Sequence, residues 1–320
     1  MKQLAHFDLK NEKAYLDWRE KKLSYYHSES SPIVKPVEIS DYRKLSNAER
    51  CKIKQQISGR NFSLYRVRNY ADDQSDIPVS MAKQLGLLKS DKHLCGDEIG
   101  LSQIKVTKKK GVGEYIPYTN NAINWHTDGY YNDADKKIHS MILHCESDAL
   151  EGGDNAFIDH EIVYILLRDE NPDYITALSD ENVLIIPENR QEDVLIRAEQ
   201  SGPVFSVCPW GLHMRYTART KSIIWRDDAL TERAVARIRE IYNDDSIYKT
   251  EYRLHPGEGV LSNNILHMRT KFLDDHSAEL ETKASADARI KKPEKLAKIE
   301  NTKNPRLMYR MRFYQPLLRS

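Results

Sequence analysis

The chain predicts an α+β fold, mainly β with helical additions, whose centre is a β-sandwich or jelly roll. Three observations predict it. From about residue 114 onward, short apolar runs of β character are spaced by Gly, Pro and Asn turn signals. Helical patterns are fewer and carry their own caps, so they read as covers on a β framework rather than as a bundle. No internal repeat is visible, and no segment approaches the roughly 18 apolar residues of a membrane span.

A chain of 320 residues buries a substantial core without staples, and 40% hydrophobic with 30% charged residues suits a globular protein. We expect one domain over residues 1–320, with 1–113 packing as helices and strands on the core. Lys and Arg number 49 against 48 Asp and Glu, so nothing points to nucleic acid or an anionic membrane as partner. Cys51, Cys95, Cys145 and Cys208 are scattered with no C-x-x-C pair, which argues against structural zinc. The N-terminal Met1–Asp8 segment lacks an apolar core for export, so we expect a reduced, cytoplasmic protein.

In chain order, residues about 11–26 predict a helix capped by Asn11. Ser46-Asn47-Ala48-Glu49 matches a capping box and starts a second helix. Asn61–Val67 reads as a strand, Pro78–Leu87 as a short helix with proline in its first turn, and 101–107 as a strand. Ile138–Glu146 is a strand candidate, and Gly152-Gly153 turns the chain into the apolar run Ala156-Phe157-Ile158. Asp159 caps a helix through Arg168, and Asn171-Pro172 opens another. Val183–Ile186 is a strand. Val204–Val207 and Leu212–Thr217 form a hairpin turning at Trp210-Gly211. Thr231 starts an amphipathic helix through Tyr242. Pro256-Gly257-Glu258-Gly259 leads into Val260-Leu261, and Leu307–Tyr314 is a final strand. Residues 274–305 are Lys-, Glu-, Asp- and Ala-rich and predict a solvated helix or loop.

The chemistry concentrates in Asn124-Trp125-His126-Thr127-Asp128-Gly129-Tyr130-Tyr131. A strand puts residues i and i+2 on one side, so His126 and Asp128 can point together into a barrel. Imidazole with carboxylate, and no thiolate, suits Fe(II) in a facial triad with open positions. A third ligand must come from another strand. His267, at the end of an apolar run, is the best placed. His139, His144, His160, His213 and His255 rival it on spacing alone. An isolated H-x-D is common as a surface pair, so the motif gains weight only from its surroundings.

Those surroundings supply a resemblance. Trp125-His126-Thr127-Asp128, then Glu151-Gly152-Gly153-Asp154, then the ending Arg306-Leu307-Met308-Tyr309-Arg310 resemble the TauD/TfdA family of Fe(II)/2-oxoglutarate-dependent dioxygenases. The gap from His126 to Gly152 is 26 positions, and order and most spacings agree over residues about 114–315. The resemblance implies a double-stranded β-helix, or cupin-like jelly roll. It implies Fe(II) held by His126, Asp128 and His267, with 2-oxoglutarate and O2 as cosubstrates. Arg306 would grip the distal carboxylate of 2-oxoglutarate, since an arginine fork suits a carboxylate. Arg310, four residues along on the same strand face, would hold an anionic part of the substrate or assist with the cosubstrate. Asn155 stands where the family often has a threonine touching 2-oxoglutarate. The implied reaction oxidises a C–H bond, usually by hydroxylation, and releases succinate and CO2.

The span of 39 positions from His267 to Arg306 exceeds the family's usual connection. The excess is the charged 274–305 segment, which we expect to be a surface insertion serving as lid or oligomer contact. For the substrate, a small anionic or amino-acid-like molecule, Tyr130 and Tyr131 follow the metal motif and are candidate lining residues. So is Asn124. Arg215 and Arg219, in the basic run His213–Lys221, are candidates for an anionic group. Plain packing, a solvated strand face or, for Asn124, the turn before the motif explains these five as readily. The family resemblance is also compatible with a homo-oligomer. Two rival readings stay open at this stage: a metal-dependent hydrolase or isomerase on a similar barrel, and a non-catalytic ligand-binding relative.

Overall fold

Side chains alternate across short strands, and that alternation builds two sheets that face each other. The computed structural model describes residues 4–27, 34–92, 96–109, 111–113, 115–191, 193–221, 223–274 and 304–317. The core strands are β1 (Val37–Ile39), β2 (Phe62–Val67), β3 (Ser102–Ile104), β4 (Ile123–His126), β5 (Ser140–Ser147), β6 (Asn155–Ile158), β7 (Lys249–Tyr252), β8 (Glu258–Ser262), β9 (Leu266–Arg269) and β10 (Leu307–Phe313). A six-stranded sheet runs β1-β2-β8-β5-β10-β3, and a four-stranded sheet runs β7-β6-β9-β4. Pairing is antiparallel except for β1 with β2. Helices and strands take similar shares, about 30% and 28%. The expected α+β architecture with a jelly-roll core is present.

Three layers of core follow from this alternation. Between the sheets lie Phe62, Leu64, Met141, Cys145, Phe157, Val260 and Met308, with the Phe62 and Phe157 rings stacked 5.4 Å apart. Behind the larger sheet, α2 (Asn47–Arg60) and α3 (Asp76–Gln84) bury Ile53, Ile57, Ile77 and Met81 against Ile142 and Phe313. Behind the smaller sheet, α4 (His160–Glu170), α5 (Pro172–Leu178) and α6 (Ala229–Asn243) pack on Trp125, Ala156, Ile158 and Leu266. Trp125, Ile158 and Leu266 therefore point to the helices. Their strand neighbours His126, Phe157 and His267 point to the barrel interior. No helix among the described residues is long and apolar enough to cross a membrane.

Local signals account for most element ends. Asn11 accepts from the Ala14 amide at the start of α1 (Glu12–His27). The Ser46/Glu49 capping box opens α2, and Asp159 caps α4. Asn61 is not part of β2; it is the left-handed C-cap of α2, with φ 59°. The cap of α6 is Asp228 rather than a residue at Thr231, because the Asp228 carboxylate accepts from both the Leu230 and Thr231 amides. The strand expected over 101–107 shrinks to Ser102–Ile104. The hairpin at Trp210 forms between Phe205–Cys208 and Gly211–Met214. The expected 274–305 insertion falls almost wholly outside the described residues.

Candidate active site

The smaller sheet brings the metal motif together. In β9 against β4, His267 sits directly opposite His126. Their ring centroids are 4.3 Å apart. Asp128 lies just past β4, in a turn rather than on the strand. The chain stays extended through Thr127, whose amide donates to the Tyr216 carbonyl and whose hydroxyl accepts from the Tyr216 amide, both at 3.0 Å. So i and i+2 still share a side. Gly129 makes the turn possible: its φ is +67°, and a Cβ there would sit 2.5 Å from Ile138. Asn264 clamps the bend by accepting from the Asp128 amide at 2.7 Å and donating to the Asp128 carbonyl at 2.9 Å.

Among the described residues, His126, Asp128 and His267 are the one group of His, Cys, Asp or Glu whose ligand atoms, all within 4.8 Å of one another, could hold a metal ion. Each imidazole is oriented by its own strand. His126 Nδ1 is 2.8 Å from the Asn124 carbonyl, and His267 Nδ1 is 2.8 Å from the Ile265 carbonyl. With Nδ1–H spent on a carbonyl, each Nε2 lone pair is left for a metal. Burial, then the neighbouring His267, pushes His126 down to about 3 although Asp128 pulls the other way. Burial likewise lowers His267. Burial would raise the Asp128 carboxyl, but Arg310, Arg312 and the two imidazoles outweigh it and hold it below the usual range. Two neutral imidazoles beside an ionised carboxylate are the state a divalent metal needs. Asp128 Oδ2 is buried with no hydrogen-bond partner among the described residues. A buried unpaired acceptor of this kind fits a metal-ligand position.

The rival histidines are engaged elsewhere. His144 contacts Tyr65 through Nδ1 and Gln74 through Nε2. His160 and His213 point Nε2 at the Leu212 and Ile138 carbonyls. His255 pairs with Asp148. His139 and His213 line a separate hollow with Trp210.

Strand β10 supplies the basic side. Alternation sends Arg306, Met308, Arg310 and Arg312 to one face. Arg306 and Arg310 line the same cavity as His126, His267 and Asn155, with Ile104, Met141 and Leu143 as apolar walls. Arg306 is buried, and burial lowers its guanidinium below its ordinary value. Arg310 Nη1 lies 3.3 Å from Asp128 Oδ1, so it faces a metal-ligand candidate directly. Arg312 is taken up by Asp91 and by the Tyr131 hydroxyl at 3.1 Å. The Gly152-Gly153 turn packs between Lys271 and Arg306. Gly152 has φ +67°, and a Cβ there would come within 2.2 Å of the Lys271 carbonyl, while one on Gly153 would lie 3.4 Å from Arg306 Nε.

Arg215 departs from its expected substrate role. Its guanidinium donates to the carbonyls of Tyr130, Leu184, Gly202 and Gln200. It is a buried brace that holds the Tyr130 segment in place, with nearly all its donors spent. Arg219 is exposed, and its charge is felt by Tyr130. Tyr130 and Tyr131 are half-buried with rings edge-on at 5.1 Å, Asn124 is exposed, and none of the three lines the cavity that holds His126, His267 and Arg306. Arg269 escaped sequence reasoning. It lines the cavity beside Arg306, and the signal was present: it lies two residues past His267 on one strand, hence on the same inward face.

The family model described as "Taurine catabolism dioxygenase TauD, TfdA family" matches residues 33–282. The chain belongs to the TauD/TfdA family. The matched span holds His126, Asp128 and His267, while Arg306 and Arg310 lie beyond it. A uridine-5'-phosphate dioxygenase of Streptomyces sp is 28% identical over 176 residues, which is 53% of this chain and 63% of that protein. One from Amycolatopsis sp is 30% identical over 161 residues, 48% of this chain and 56% of that protein. The chain thus spans about three fifths of the length of the curated relatives it matches. An asparagine oxygenase solved with Fe(II), 2S,3S-3-hydroxyasparagine and succinate superposes with a TM-score of 0.57 at 11% identity, covering 92% of this chain and 89% of that one. The non-heme iron oxygenase OrfP, with Fe and alpha-ketoglutaric acid, gives 0.52 at 12% identity, covering 82% and 77%. At those identities the likeness speaks for the fold.

Proposed function

We propose that this TauD/TfdA family member is an Fe(II)- and 2-oxoglutarate-dependent dioxygenase that oxidises, most often by hydroxylation, a C–H bond of a small anionic molecule, releasing succinate and CO2. The observation that carries this reading is that ligand atoms of His126, Asp128 and His267 all lie within 4.8 Å of one another, with a buried Asp128 oxygen that has no hydrogen-bond partner among the described residues. Iron bound there with 2-oxoglutarate and O2 supplies the oxidising chemistry; the chain supplies position and field. His126, His267 and Asp128 hold the ion. The Asn124 and Ile265 carbonyls fix the imidazole tautomers, and Asn264 fixes the Asp128 turn. Arg306 takes the distal carboxylate of 2-oxoglutarate, with Asn155 beside it. Arg310 sits between the cosubstrate side and Asp128, placed to meet an anionic substrate group or the cosubstrate.

Tyr130, Tyr131, Asn124 and Arg219 form the substrate side, with Arg215 bracing them from behind. The relatives named uridine-5'-phosphate dioxygenases support a substrate that carries an anionic group, a phosphorylated nucleoside among the first to try. We take residues 1–320 as one cytoplasmic domain acting on a small molecule and not on nucleic acid. Anaerobic addition of Fe(II) and then 2-oxoglutarate tests the proposal. A weak visible charge-transfer band is expected, and it should be absent in His126→Ala and Arg306→Ala proteins. Metal binding without that band would overturn the 2-oxoglutarate assignment.

A further inference from the structure

Arg269 has no role in the assignments above, yet it is among the more unusual groups in the cavity. It pairs across the sheet with Asn155, as His267 pairs with Phe157, so Arg269 and Asn155 share the inward face. One end of its guanidinium is anchored: Nη2 donates to the carbonyls of Thr119, at 3.0 Å, and Asn121. The other end is not. Nε and Nη1 are buried and have no hydrogen-bond partner among the described residues. Arg306 lies against the same aromatic ring: the two guanidinium carbons are 4.8 and 4.9 Å from the Phe272 centroid. Burial, followed by the Arg306 charge, pushes Arg269 down to about 9.

The two buried cations repel each other where solvent screens weakly, and on Arg269 the Asp274 carboxylate offsets this less than Arg306 adds to it. A purely structural arginine resembles Arg215, with carbonyls on all sides. Arg269 is instead half tethered and half unmet, and it sits where an anion would remove the penalty. We propose that Arg269 and Arg306 together form a doubly cationic site for the distal carboxylate of a 2-oxo dicarboxylic acid, and that Arg269 sets the preference for that acid over 2-oxo monocarboxylic acids. This rests on the proposed 2-oxoglutarate-dependent reading. The tether to Thr119 and Asn121 keeps the charge from swinging away, so the preference is built into the sheet rather than assembled by the ligand.

The test is anaerobic calorimetry on Fe(II)-loaded protein with 2-oxoglutarate and with 2-oxobutyrate, which lacks the distal carboxylate. In Arg269→Gln protein, 2-oxoglutarate should bind at least tenfold more weakly, while 2-oxobutyrate changes less than twofold. Arg269→Lys keeps a cation against the two carbonyls and should retain most of the preference. It also guards against a Gln protein that does not fold. Equal weakening of both acids in either variant would make Arg269 a structural brace and overturn the proposal, as would an unchanged preference in Arg269→Gln. Failure of the dioxygenase reading shows separately, in the wild-type protein, as binding of neither acid.

Discussion

Arg215 and Arg306 are buried to a similar depth, at 8% and 4% exposure, yet they differ in what surrounds them. Arg215 stands behind the Tyr130 segment with four backbone carbonyls on its guanidinium. Arg306, with Arg269 beside it, faces a cavity that it shares with the metal-ligand candidates. The histidines divide the same way. His144 has both ring nitrogens engaged, whereas His126 and His267 each spend Nδ1 on a carbonyl. Burial therefore does not separate brace from site. Counting which donors and acceptors are already met does, because an unmet buried polar group is costly and persists where a ligand meets it.

The strongest way to break the comparison is at the metal. His126→Ala removes a candidate inward ligand and, in packing, chiefly its ring contact with His267. Its metal affinity should fall by more than the roughly 10–100-fold that loss of an outer-shell partner costs. His144→Ala, on the far side of the larger sheet, should leave metal affinity within about twofold and lower stability instead. Equilibrium dialysis with Fe(II), beside thermal unfolding, reads both. Equal metal affinities in the two variants would break the division.

Next comes the anion side. Arg306→Ala should weaken 2-oxoglutarate binding by about 2–5 kcal/mol, the usual cost of truncating one partner of a buried charged contact. Unfolding should move little, because the contact of Arg306 with the Phe272 ring is set against the cost of burying its charge before its anion arrives. Arg215→Met reverses the pattern. With an unmet buried carbonyl costing about 1–3 kcal/mol, four of them left even partly dry should lower folding stability by ~3 kcal/mol. The variant that still folds should bind 2-oxoglutarate as the wild type does. Chemical denaturation with parallel calorimetry separates the two results, and matching effects in both assays would erase the distinction drawn here.

Much of this was legible in the sequence because it is local. Capping residues at Ser46 and Asp159, the Gly152-Gly153 turn and the i, i+2 relation of His126 to Asp128 need only a few neighbours to be recognised. Strand alternation along Arg306, Arg310 and Arg312 was legible for the same reason. The misses are non-local. Arg215 reads as a site residue in a basic run, because the four carbonyls that consume it come from segments 13 to 85 positions away. Arg269 was passed over because its meaning depends on Arg306, which is 37 positions further along. Asp228 displaced the expected start of α6 because two candidate caps lie three residues apart and only the folded backbone chooses between them.

The smallest effect sharpens the comparison through pH. Burial lowers His144 to about 3, while an unfolded chain returns it to about 6.5. A folded pKa below the unfolded one means the unfolded state binds the extra proton, so stability falls as pH drops. The loss begins near the unfolded value of about 6.5, proceeds at up to ~1.4 kcal/mol per pH unit for this one histidine, and ends near the folded value. His126, lowered to about 3 by burial and His267, adds to the slope in metal-free protein. Metal should not relieve its share, because ligation keeps the folded imidazole deprotonated while the unfolded one still takes up its proton. His144 contributes in the same way with or without metal, since both nitrogens serve Tyr65 and Gln74. Stability against pH between 6.5 and 4, with and without a saturating divalent ion, should therefore give the loaded wild type a higher curve with a slope at least as steep. In His126→Ala protein the two curves should coincide. A clearly shallower slope for the loaded wild type would mean that metal-free His126 is not held neutral by the fold.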